Sequence, residues 1–184
     1  LLVYRGAERS IGYNFYDKTG HVDLVYMRGG SWDPSSDGAE RSEECFVGGE
    51  EHLLEQANEV YGVFQSTYAQ IGGFPTRFDQ DYWQAAMART IYDAIPQITH
   101  FIRYPAGREM QAYAVIGQRT GKRADQDWIV QEAATATGSA ALEKVFETAG
   151  AMAADEDKSL EWSMQWEHPL RGFSDTIIKV IFPG

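Results

Sequence analysis

The sequence predicts an α/β (α+β) fold, a mixed and mainly antiparallel sheet flanked by helices. Three observations predict it. Leu53, Ala57, Val60, Tyr61, Phe64 and Tyr68 recur at helical steps and form one apolar stripe. "ITHFIRY", "MQAYAVIGQ" and "DWIVQEAAT" then run with strand character, separated only by the polar turns "PAGRE" and "RTGKRADQ". Finally "GSAALEKVFETAGAMAADED" returns to a helical period before "SLEWSMQW" alternates apolar and polar residues.

Taken in order, "RGAERSIGYNFY" reads as a helix end and "VDLVYM" as a short strand. Gly29 to Gly49 concentrates Gly, Ser, Asp and Glu without a sustained apolar period, and reads as a linker. After the helix that begins near Leu53, Asp79 offers an N-cap for "QDYWQAAMARTIYDAI". Its Trp83, Met87, Thr90 and Ile91 share a face before Pro96 stops it. The three strand-like runs that follow form a meander, because their short turns leave no room for crossovers. Ser139 is placed to cap the next helix, with Leu142, Val145, Phe146, Ala149, Met152 and Ala153 on its buried face. Leu160, Trp162, Met164 and Trp166 line one side of a half-buried strand, as a core stripe rather than a ligand platform, and "DTIIKVIF" supplies a last strand.

At 184 residues with 43% apolar content, the chain is long enough for one domain, or a domain plus part of another. A net charge of -11 argues against nucleic acid and anionic membrane surfaces as partners, since phosphate contacts need clustered Lys and Arg. The dense acidic run from Asp33 to Glu59 reads first as a solvated linker and helix face, with attraction of a cationic substrate as the alternative. No stretch reaches the roughly 18 to 20 apolar residues of a membrane-spanning helix. Cys45 is the single cysteine, which excludes an internal disulfide and a cysteine-based metal cluster and makes the cytoplasm the expected compartment. His21, His52, His100 and His168 show no HxxxH or HxH spacing, so no metal site is expected. Glu132 interrupts an apolar strand; a structural hydrogen bond or exposure at a sheet edge outranks a role as a base with a raised pKa.

The order of elements resembles the GCN5-related N-acetyltransferase (GNAT) fold, and particular residues sharpen the resemblance. "FYDKTGH" at Phe15 to His21 is similar to the family's "FYxxxGF" segment, with His21 in place of the usual aromatic. "EVYGVFQSTY", "GGFPTRFDQDYW", "AYAVIG", "WIVQEAAT" and "EHPL" follow in the order of the second unit of a tandem GNAT protein, similar to acetyltransferases of the enhanced-intracellular-survival type. The resemblance implies that residues 1–30 end a first unit, 31–52 are an acidic linker and 53–184 are a second, degenerate unit. It implies transfer of acetyl from acetyl-CoA to an amine, without a metal.

By the same resemblance Tyr16 is the catalytic residue, a general acid for the departing thiolate. The ordinary tyrosine pKa of about 10 suits such a proton donor at neutral pH. The alternative is that Phe15 and Tyr16 anchor a helix end in the core. The cofactor-binding residues are not identified. "RSIGYN" at Arg9 to Asn14 matches only half of the family's Arg/Gln-x-x-Gly-x-Gly/Ala turn, and "QEAATATGSAAL" has the single glycine Gly138 and no basic residue. Because the chain does not begin with Met, the cofactor loop is expected upstream of Leu1. Two other readings stay open: a noncatalytic GNAT-like module for assembly or substrate-cleft formation, and a ligand-binding α+β domain unrelated to acyl transfer. The sequence leaves a homo-oligomeric state open.

Overall fold

A computed structural model describes residues 27–32, 40–69, 97–118 and 127–165. Its strands are β1 (Met27–Trp32), β2 (Phe46–Gly48), β3 (Gln97–Tyr104), β4 (Ala112–Gln118), β5 (Trp128–Thr135) and β6 (Leu160–Gln165). Its helices are α1 (Glu50–Glu55), α2 (Ala57–Tyr68) and α3 (Ser139–Asp155). Among the described residues the strands form one six-stranded sheet in the order β1-β6-β5-β4-β3-β2. Neighbours are antiparallel except β5 and β6, which are parallel and joined through α3. The predicted mixed, mainly antiparallel sheet flanked by helices is therefore the observed one.

The meander β3-β4-β5 follows the three predicted strands closely, because a run of β-branched and apolar residues with a short turn has only an adjacent antiparallel partner to pair with. The helices cover both faces. Leu142, Val145, Phe146 and Ala149 of α3 pack on Ile102, Ile116, Val130 and Leu160, all buried. Leu53 of α1 and Val60, Phe64 and Tyr68 of α2 pack on the opposite face, against Phe101, Tyr113, Val115 and Ala134. Both faces of the meander are thus dry, which explains why its strands read as almost continuously apolar.

Several elements differ from the sequence reading. The helix expected from Leu53 is two, parted at Gln56, whose backbone (φ -102°, ψ 13°) leaves the helical region. Ser139 does not cap α3: the cap position is Gly138, at φ +108°, a conformation glycine adopts without the Cβ clash other residues meet. Part of the stretch read as linker is strand. "MRGGSW" pairs with β6 from Met27↔Gln165 to Trp32↔Leu160, and Phe46–Gly48 pairs with β3. Its glycines hide the tendency in isolation; a neighbouring strand with open hydrogen-bonding groups supplies it.

The middle of the acidic run, at 41–44, is docked rather than free. Ser42 N–H donates to Thr148 Oγ1 at 3.2 Å, Ala106 N–H donates to Glu44 O at 2.7 Å, and Arg41 pairs with Asp155 on α3. The expected helix at 80–95, the last strand at 175–182, Trp166, "EHPL" and the whole "FYDKTGH" segment lie outside the described residues.

Candidate functional site

In an open sheet, ligands are held where neighbouring strands part beyond their carboxyl ends. Here that place lies between β5 and β6. The two strands pair only from Trp128–Leu160 to Val130–Trp162; past Val130, β6 stays with β1 while β5 continues to Thr135. Three residues, Ala136, Thr137 and Gly138, separate Thr135 from the start of α3 at Ser139.

A bulge sets which side chains of β5 face which helix. Val115 pairs with Glu132 and Ile116 with Val130, so Gln131 is the extra residue. Strict alternation would put Trp128, Val130, Glu132 and Ala134 on one face. The bulge instead leaves Trp128 and Val130 against α3 and turns Ala134 towards α2. Glu132, opposite Val115, goes with Ala134. There it is 5% exposed, and Tyr113 Oη donates to its Oε1 at 2.5 Å. The expected structural hydrogen bond is what the strand provides for this carboxylate.

The open edge of β5 is occupied by α2. Ala136 N–H donates to Gln111 O across β4, so the backbone groups of Ala133 and Thr135 point the other way, into the opening. Thr135 N–H donates to Thr67 Oγ1 at 2.7 Å, and the same hydroxyl donates to Thr135 O at 2.8 Å. Tyr68 Oη donates to Ala133 O at 2.8 Å.

The turn into α3 is equally self-contained. Thr137 and Gly138 N–H groups donate to Thr135 Oγ1 at 3.2 and 3.1 Å. With Ala136 N–H on Gln111 O, all three amides of the turn are directed inward. No Lys or Arg occurs between Trp128 and Glu143. This strand-to-helix turn does not fit the pyrophosphate of acetyl-CoA, which needs outward amides or cations.

Of the other candidates, Tyr16 lies outside the described residues, as do His21 and His168. His52 Nδ1 accepts Gly49 N–H at 3.3 Å beside Glu51. His100 stacks on Trp128 with ring centroids 4.6 Å apart, and its burial holds its pKa below the ordinary histidine value. Burial likewise pushes the Cys45 thiol up. Among the described residues no three His, Cys, Asp or Glu side chains are grouped to hold a metal ion, and no helix is long and apolar enough to cross a membrane.

Sequence reasoning missed Thr67, Thr135 and the pair Arg103–Glu59. Helical period marks Tyr68 as core but is silent on where its hydroxyl goes. A threonine just before a Gly-containing turn is the one available signal for Thr135, since short hydroxyl side chains bond neighbouring backbone there.

No protein-family model and no curated protein matches the sequence. Among solved structures the chain is similar to a conserved protein from Enterococcus faecalis described as a probable N-acyltransferase, with 11% identity and a TM-score of 0.57 over 84% of this chain and 36% of that one. A functionally unknown conserved protein from Staphylococcus epidermidis aligns with 8% identity and a TM-score of 0.48, over 87% of this chain and 58% of that one. The chain spans about a third of the first protein's length and less than two thirds of the second's. The class defined is one of fold: a GNAT-like mixed sheet with helices on both faces.

Proposed function

We propose that this chain is part of a tandem GNAT-family N-acetyltransferase, similar to the enhanced-intracellular-survival type, that transfers acetyl from acetyl-CoA to an amine in the cytoplasm. The expected bounds are 1–30 for the end of a first unit, 31–52 for a linker and 53–184 for a second unit, here read as noncatalytic and serving assembly or the substrate cleft; Met27–Trp32, Phe46–Gly48 and the helix from Glu50 go with that second unit. One observation supports the reading of the second unit: the turn from β5 into α3 directs its three amides inward, and the sequence from Trp128 to Glu143 carries no Lys or Arg to meet a pyrophosphate.

Acyl transfer is supported by the likeness of "FYDKTGH" to the family's segment, by the GNAT-like fold, and by the neighbour from Enterococcus faecalis described as a probable N-acyltransferase. That neighbour has length to spare for a further unit, since this chain covers only 36% of it. Acetyl-CoA brings the activated acetyl thioester; Tyr16 holds the proton that the departing thiolate takes.

In the complete protein, Tyr16→Phe is expected to lower acetyl-transfer turnover about a hundredfold while acetyl-CoA affinity stays within about twofold. Steady-state kinetics together with a binding titration separate the two. Unchanged turnover would leave Tyr16 only the packing role that the sequence offers as its alternative.

A further inference from the structure

We infer that Thr67 and Tyr68 form a latch, built into the C-terminal end of α2, that keeps the opening between β5 and β6 shut. The inference rests on the proposed reading of this unit as GNAT-like and noncatalytic. An open strand edge presents N–H and C=O groups to whatever amide-bearing chain lies along it, and such edges are the usual place for strand addition. Here the groups already have partners. The Thr67 hydroxyl accepts from Thr135 N–H and donates to Thr135 O, the donor-and-acceptor pattern that an amide-bearing acyl carrier would present. Tyr68 takes the next carbonyl on the same edge, that of Ala133.

The residue types fit this role better than they fit a helix. Thr and Tyr are middling helix formers. A hydroxyl on a helix ordinarily bonds the carbonyl one turn back, as Ser66 Oγ does with Gly62 O at 3.0 Å. Thr67, the next residue, instead gives its hydroxyl to β5, 68 positions along the chain. Thr67 and Tyr68 are each 6% exposed and Thr135 is 5% exposed, so the latch is closed to water as well as to ligand. The unit is therefore not a vacant binding site. The backbone groups of Thr135 and the carbonyl of Ala133 on its β5 edge are taken by two of its own side chains, and release of the last turn of α2 is what would uncover that edge.

The test uses the complete protein with Thr67→Val, which keeps the shape and removes the hydroxyl, and Thr67→Ser, which restores it. Amide hydrogen exchange at Thr135 is expected to be about tenfold faster in Thr67→Val and close to wild type in Thr67→Ser, with the amide of Phe101 in β3 unaffected. Equal exchange at Thr135 in folded Thr67→Val and wild type would overturn the latch. Should Thr67→Val fail to fold, the wild-type chain still decides: a slowly exchanging Thr67 hydroxyl proton in the NMR spectrum supports the latch, and its absence overturns it. Neither readout depends on acetyl transfer, so the Tyr16→Phe assay judges the acyltransferase reading separately.

Discussion

Phe146→Ala is expected to destabilise the fold by about 3–5 kcal/mol, the usual loss when a fully buried aromatic is truncated and its site cannot collapse. The ring is 0% exposed on the sheet-facing side of α3. It makes a T-shaped contact with Trp162 of β6, centroids 5.8 Å apart and planes at 88°. Phe146 thus ties the crossover helix to the second of the two parallel strands it connects. Leu142 and Ala149, one turn to either side, are also buried and leave little slack to fill the hole. Urea unfolding measures the loss as a lower midpoint with little change in slope. A loss under about 1 kcal/mol would mean that α3 does not pack on β6 as described.

Glu59→Ala should cost about 3 kcal/mol, for an electrostatic reason. Arg103 points from β3 towards α1 and α2 and is only 8% exposed, so its guanidinium has given up most of its water. Its partners are Glu59 at 2.9 and 3.4 Å, Gln56 Oε1 at 2.5 Å and the carbonyl of Arg108. The same Glu59 carboxylate accepts Met110 N–H at 2.5 Å, which binds the start of α2 to the β3–β4 turn. Removing it leaves a buried cation without its counter-charge and a backbone donor without its acceptor, a change that costs about 3–5 kcal/mol in buried pairs. The lower end is expected because the Glu59 side chain is 34% exposed and water can replace part of what is lost. Replacing both partners with Met should recover much of the stability, since the penalty belongs to the orphaned charge. If the double variant is no better than Glu59→Ala, Arg103 is not the reason for the loss.

How far these features can be read from sequence depends on whether their cause is local. The strands β3 to β5 and helix α3 follow from hydrophobic period and short turns, which act over a few residues, and each lies where its period places it. The bulge at Gln131 leaves no such trace, because "WIVQEAAT" is too apolar for alternation to show a change of face; only the pairing with Val115 and Ile116 reveals it. β1 is hidden for a related reason. "MRGGSW" has no intrinsic strand pattern, and its conformation comes from the edge that β6 offers. The helix break at Gln56 sits inside an uninterrupted apolar stripe, so period alone joins α1 to α2.

The candidate site divides along the same line. Glu132 stands out in sequence as a carboxylate in an apolar run, and its hydrogen bond from Tyr113 is the satisfied partner that burial demands. Thr67, Tyr68 and Thr135 look unremarkable one by one; they meet only because α2 lies across the end of β5, 68 residues further on. Gly138 was the one glycine of the turn legible in advance, but its role is to start α3 at positive φ rather than to open a phosphate cradle.

The measurement that bears most directly on the proposal of a noncatalytic second unit is hydrogen exchange of the complete protein with and without saturating acetyl-CoA. Binding in the first unit predicts slower exchange upstream of the linker, in the part of the protein that carries Tyr16, and unchanged exchange at 131–142, where the turn amides are already held by Thr135 and Gln111. Protection by acetyl-CoA centred on 131–142 would contradict it, because that result would make this turn the cofactor site.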